Sequence, residues 1–137
     1  DYGELPLIEC YPGQLNQVFM NIITNAIDAL EERDKGRKKT EVQANQSRIT
    51  VHTRIDETNR AQIRVCDNGI GMSKEMIDKI FDPFYTTKPI GKGTGLGLSI
   101  SYQIVVDKHH GNLYCISELG MGTEFIIDIP LKQSSLT

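Results

Sequence analysis

Several common signatures are missing from this chain of 137 residues, and each absence narrows what it can be. No apolar run approaches the roughly 20 residues of a membrane helix, and no leader pattern marks a secretory signal. Cysteine is scarce. Cys10, Cys66 and Cys115 are widely spaced and form no C-x-x-C, which argues against a metal site and fits reduced, buried thiols in a cytoplasmic protein. Positive charge is not in excess: the net charge is −3, so the basic face of a nucleic-acid binder is not indicated. Two common phosphate loops are absent as well. A P-loop requires G-x-x-x-x-G-K-[ST], but Gly91-Lys92 is followed by Gly93 and no glycine stands five before Gly91. The dinucleotide fingerprint G-x-G-x-x-G fails at Leu98 after Gly93 and Gly95, and at Lys74 after Gly69 and Gly71.

What is present suits one globular domain spanning residues 1–137, with 39% hydrophobic and 24% charged residues. No internal repeat is visible, and the polar, turn-like first residues read as a domain excised from a longer chain. Leu5 to Cys10 reads as a short extended segment. Pro12 suits the first turn of a helix running from Gly13 to about Arg33. Leu15, Val18, Phe19, Ile22, Ile23, Ala26, Ile27 and Leu30 fill one broad arc of that helix. Gln17, Asn21, Asn25 and Asp28 share a narrower face. Asparagine is a weak helix former in mid-helix, so this amide stripe reads as the lining of a site.

Residues 34–47 read as a solvated loop. Alternation predicts strands over Arg48–Asp56 and Ala61–Asp67, paired as a hairpin. Ser73 is placed to cap a helix over Lys74–Phe81. Pro83 and Pro89 interrupt the segment that follows. A helix is expected from about Leu96 to Lys108, burying Leu96, Ile100, Ile104 and Val105 and ended by Gly111. Strands over Asn112–Ser117 and Thr123–Leu131 complete an α+β fold: a two-layer α/β sandwich, its mixed, largely antiparallel sheet covered by helices on one face.

The stretch from Cys66 to Leu98 carries the chemistry. An acid, Asp67, follows a strand pattern and precedes Gly69 and Gly71. A second cluster, Gly93, Gly95 and Gly97, leads into a helix. Glycines allow close backbone approach, and successive free N–H groups bind anions. The arrangement reads as a nucleotide pocket in which Asp67 holds the base and the second cluster holds the phosphates.

Five motifs in order resemble the boxes of the histidine-kinase ATP-binding domain, in the superfamily of gyrase, large chaperones and mismatch-repair ATPases. They are Asn21-x-x-x-Asn25-Ala26, Asp67-Asn-Gly69-Ile-Gly71, Phe81-Asp-Pro-Phe84 with Thr86-Thr87-Lys88, Gly93-Thr-Gly95-Leu-Gly97-Leu98, and Gly120-x-Gly122-Thr123. The likeness runs from about Leu5 to Leu131. It implies ATP and Mg²⁺ as cofactors, with Asp67 accepting from the adenine amino group and Asn25 as the metal ligand. Asn21 and Asn25 are then the catalytic pair. The implied nucleotide contacts are Asn21, Asn25, Asp67, Gly69, Gly71, Phe84, Lys88, Lys92, Gly93, Thr94, Gly95, Leu96, Gly97, Leu98 and Thr123. Residues 82–95 resemble the ATP lid.

The implied activity is that of a two-component sensor histidine kinase, donating the γ-phosphate of ATP to a histidine on a separate dimerisation domain. The implied partners are that domain and a response-regulator receiver, in a parent chain that forms a homodimer and whose membrane attachment is left open. Two readings stand beside this one. One is a serine kinase or ATPase of the same superfamily; the other is a nucleotide-sensing docking domain without transfer. Hydrolysing members of the superfamily carry a glutamate base where this chain has Asn21. Many family members have a phosphate-facing lysine where this chain has Asp28. His52, His109 and His110 read as structural, since nothing around them resembles the acceptor motif.

Overall fold

The computed structural model describes residues 10–35, 38, 46–85 and 97–131. Helix α1 (Pro12–Asp34) opens with the proline at its first position and buries Leu15, Val18, Ile22, Ala26 and Leu30. Their spacing of three and four residues makes one stripe, as expected for a helix lying on a core. The stripe is narrower than the apolar arc in the sequence. Phe19 packs at its edge, whereas Ile27 is 44% exposed and lines a surface hollow with Leu30, Glu31 and Ser47.

Strands β1 (Ile49–Ile55), β2 (Arg60–Asp67), β3 (Asn112–Glu118) and β4 (Gly122–Pro130) form a sheet of order β1-β2-β4-β3. Every pairing is antiparallel. The sheet is therefore antiparallel throughout among the described residues; Leu5 to Ile8, the extended segment read before Cys10, lies outside them. Ala61, Ile63 and Val65 of β2, Phe125, Ile127 and Ile129 of β4 and Leu113 of β3 point to one core; β2 and β4 meet α1, and β3 meets residues 103–108. Burying a side chain of this size contributes about 1.5–3 kcal/mol.

Two helices differ from their sequence reading. Ser73 does cap helix α2, accepting from the Met76 N–H at 3.3 Å, but α2 covers only Lys74–Ile77. The chain continues to Tyr85 through three-residue turns closed by Lys79 N–H to Met76 O, Asp82 N–H to Lys79 O and Tyr85 N–H to Asp82 O. Pro83 disfavours helical geometry at Asp82, and the tighter turns let Ile80 reach the core. Helix α3 (Gly97–Tyr102) passes into a π-helical stretch, Gln103–Lys108. Ile104 and Val105 are buried as expected, but the buried residues of α3 itself are Ser99 and Ser101; Leu96 lies outside the described residues.

The π-helical widening has a visible partner. The Ile104 carbonyl accepts from both the backbone N–H of His109, at 3.1 Å, and its ring Nδ1, at 2.9 Å. His110, not Gly111, takes the left-handed conformation, at φ 57°. Gly111 is required for a different reason: a Cβ there would lie 2.1 Å from the Asp128 carbonyl. Among the described residues no helix is long and apolar enough to cross a membrane.

Candidate functional site

The two-residue period of β2 positions Asp67. Ala61, Ile63 and Val65 face the helices, and Asp67 occupies the next inward place, 9% exposed. A carboxylate stands where the apolar row would continue. Its Oδ1 accepts the Gly69 N–H at 2.9 Å, and the nearby Thr123 N–H also favours the ionised form. Burial pushes the carboxyl above its ordinary value of 3.8, and the two N–H groups partly offset that rise.

The glycines beside Asp67 are explained by the protein itself. A Cβ on Gly69 would sit 2.8 Å from the Ala29 Cβ of α1. Gly71 has φ 72°, and a Cβ there would meet the Glu118 carbonyl at 2.1 Å. Gly122 has φ 101°, and a Cβ there would meet the Asp67 carbonyl at 2.0 Å. The Gly120 N–H donates to Ile70 O at 2.7 Å. The first and third glycine boxes are thus stacked backbone to backbone. Ser117 ties them further: its Oγ accepts from Met72 N–H at 2.8 Å, lies 3.0 Å from the Gly122 carbonyl, and meets Thr123 Oγ1 at 2.8 Å.

Arg33, which the sequence reading passed over, closes the other side of this loop. Its Nη1 donates to the Asn68 carbonyl at 3.0 Å, and its Nε to Asp34 Oδ1 at 3.1 Å. Asn68 in turn accepts from Arg48 N–H on Oδ1 at 2.7 Å and donates from Nδ2 to Gln46 O at 2.9 Å. The end of α1, the start of β1 and the residue after Asp67 are held as one unit.

Asn21 and Asn25 are half-buried one turn apart on α1, with Asp28 on the same side. Gln17, the first member of the amide stripe, is exposed and faces solvent. Asn21 Nδ2 donates to the Gly97 carbonyl at 3.1 Å and to Ser101 Oγ at 3.2 Å. This brings the first asparagine against the start of α3, where Gly97 and Leu98 lie. Asn25 makes no side-chain hydrogen bond among the described residues, so its amide oxygen is available. Mg²⁺ keeps waters and phosphate oxygens and needs few protein ligands, so this single neutral oxygen fits the role.

Phe84 is 72% exposed and has φ 66°. Phe81 is the aromatic that packs inward, its ring 5.4 Å from that of Tyr102. Lys88, Lys92, Gly93, Thr94, Gly95 and Leu96 lie outside the described residues, as does most of the lid.

The histidines and cysteines have structural roles. His109 is fully buried; its Nε2 accepts the Tyr11 N–H at 2.9 Å, so Nδ1 carries the proton given to Ile104 O. His52 pairs with Arg64 in register, on the sheet face away from the helices. The Cys66 thiol donates to Glu124 Oε2 at 3.1 Å. Burial pushes the Cys66 and Cys115 thiols up to about 11, and all three cysteines are free. A thiol held that high is a poor nucleophile near neutral pH.

An inward acid at a strand end, two stacked glycine turns and a paired-asparagine helix are thus built onto an antiparallel sheet covered by helices, an α+β sandwich. Residues 10–133 match the family described as histidine kinase-, DNA gyrase B-, and HSP90-like ATPase, and the chain belongs to that family. It is 38% identical over 132 residues to Sporulation kinase E of Bacillus subtilis (strain 168), covering 96% of this chain and 16% of that protein. The catalytic domain of histidine kinase ThkA superposes with a TM-score of 0.75 at 30% identity, over 97% of this chain and 77% of that one. Full-length ShkA in complex with AMPPNP superposes with a TM-score of 0.74 at 26% identity, over 94% of this chain and 24% of that one. The chain thus spans about a sixth of the Bacillus relative and most of the ThkA catalytic domain.

Proposed function

We propose that this chain is the ATP–Mg²⁺-binding catalytic domain of a two-component sensor histidine kinase. The observation that carries the reading is the buried, ionisable Asp67, aimed inward beside two stacked glycine turns in a chain of this ATPase family. The carboxylate accepts the adenine amino group. The hydrogen bond from Gly69 fixes its orientation before the nucleotide arrives. Asn25 offers an oxygen to the metal, and Asn21 lines the same face of α1. Bound Mg²⁺ neutralises charge on the phosphates. The glycine cluster before α3, with Lys88 and Lys92, holds the phosphate chain so that the γ-phosphorus lies open to an incoming imidazole nitrogen. The nitrogen–phosphorus bond forms as the bond to the ADP oxygen breaks.

The acceptor belongs to a separate helical dimerisation domain, and a receiver domain takes the phosphoryl group onward. Two of the chain's three histidines are unsuited: His109 is buried with both ring nitrogens engaged, and His52 lies on the far side of the sheet. The test is transfer of radioactive γ-phosphate. Alone, the chain should bind ATP without labelling itself. Adding the parent's helical domain should produce acid-labile phosphohistidine on that domain. Self-labelling of His52, His109 or His110, or failure of the mixture to label, would contradict the reading.

A further inference from the structure

We propose that Ser101 is a positioning residue for nucleotide binding, acting through Asn21. The proposal rests on the nucleotide reading above. Ser101 is fully buried on α3, four residues after Gly97. Its hydroxyl donates back to the Gly97 carbonyl at 2.8 Å, which leaves an oxygen lone pair for a second partner. That partner is Asn21 Nδ2, at 3.2 Å, and the same nitrogen donates to Gly97 O at 3.1 Å. A carbonyl only accepts, so the atom facing Gly97 is the amide nitrogen. The two acceptors lie only 2.8 Å apart, so they share the same edge of the amide nitrogen in a three-centre contact.

Two consequences follow. First, the amide of Asn21 has one allowed orientation, with Oδ1 as its unspent atom. Asn21 therefore offers the site its Oδ1 as an acceptor, suited to a hydrated cation. Second, the first turn of α3, where the second glycine box ends, is pinned to α1 one turn from Asn25. A helix interior has little use for a buried serine, whose hydroxyl must find partners once it is out of water. Ser101 finds them in the two groups that set the geometry of the phosphate end. Without the hydroxyl, the amide keeps only the Gly97 carbonyl as acceptor and is freer to turn.

The experiment is calorimetric titration of the chain with AMPPNP and Mg²⁺, using Ser101→Ala and Ser101→Cys, each in the wild-type and Asn21→Ala backgrounds. Alanine is smaller than serine and cysteine slightly larger, so a volume effect would differ between them; both lose the strong hydroxyl. Each should weaken binding about fivefold in the wild-type background, the effect of one net hydrogen bond, and leave it unchanged when Asn21 is already alanine. The Asn21 side-chain amide protons should exchange slowly with solvent in the wild type and faster in both variants. Unchanged affinity in both variants, or losses that add to that of Asn21→Ala, would overturn the proposal. If the wild-type chain did not bind AMPPNP at all, the nucleotide reading would fail first.

Discussion

The two ends of the site are held by different means. Around Asp67, three glycines lie so close to neighbouring atoms that a Cβ would come within 2.0 to 2.8 Å of them. At the other end, a Cβ on Gly97 would meet only the Asn21 side chain, at 3.6 to 3.9 Å, an ordinary contact. Side-chain hydrogen bonds from Asn21 and Ser101 hold that end. Backbone stacking leaves few alternative arrangements, so the end proposed to read the base is a rigid template. A hydrogen-bonded helix start can adjust more readily, which suits the phosphate-holding role proposed for this end.

Glycine-to-alanine exchange exposes this difference most strongly. Gly71→Ala and Gly122→Ala should each destabilise the fold by about 3 kcal/mol or more, adding the cost of a left-handed residue to that of overpacking. That is a large share of a typical domain's stability of about 5–15 kcal/mol. Gly97→Ala should leave stability unchanged or raise it, by up to about 1 kcal/mol, since alanine is the better helix former. Denaturant unfolding of the three variants checks this, and equal losses at all three positions would erase the distinction.

Arg33→Met should cost about 2 kcal/mol, the value of a charged hydrogen bond to the Asn68 carbonyl. Because the arginine braces the loop at Asn68, nucleotide affinity should fall as well. A variant with normal stability and affinity would show that the brace is dispensable.

A smaller effect concerns Asp67 itself. Its folded pKa is raised by burial, so its ionised form opposes folding, and stability from this group is present at low pH and lost as pH rises through the raised value. Asp67→Asn should therefore melt at a higher temperature than the wild type at neutral pH. The gap should narrow as pH falls through the raised value toward 3.8. Thermal melts across that range test the sign; a variant less stable at neutral pH would reverse it. Stability given up for a charged acceptor is the expected signature of a functional group.

Much of this architecture was legible in the sequence. Period-two alternation marked β1 and β2 with Asp67 at a strand end, and Ser73 announced the start of α2. The missed features share a cause: contacts between segments far apart in the chain. Arg33 reaches Asn68 and Asn21 reaches Ser101 across 35 and 80 residues, distances over which local pattern carries no information. Ile27 matched the apolar period of α1 but lies at the flank of its buried stripe, exposed beside Glu31 and Ser47. The π-helical turn depends on His109 finding both Ile104 and Tyr11. Gly69 also makes room for Ala29 of α1, a packing role that local pattern does not show.

The central claim is that Asp67 reads adenine. Its most direct test is calorimetric titration of the chain with ATP and with GTP in the presence of Mg²⁺. A charged hydrogen bond to the adenine amino group is worth about 1.5–3 kcal/mol, so ATP should bind about ten- to a hundredfold more tightly than GTP, whose oxo group cannot donate. Asp67→Ala should abolish measurable ATP binding in a chain that still unfolds cooperatively. Equal affinity for the two nucleotides, or undiminished ATP binding by the folded Asp67→Ala variant, would contradict the account.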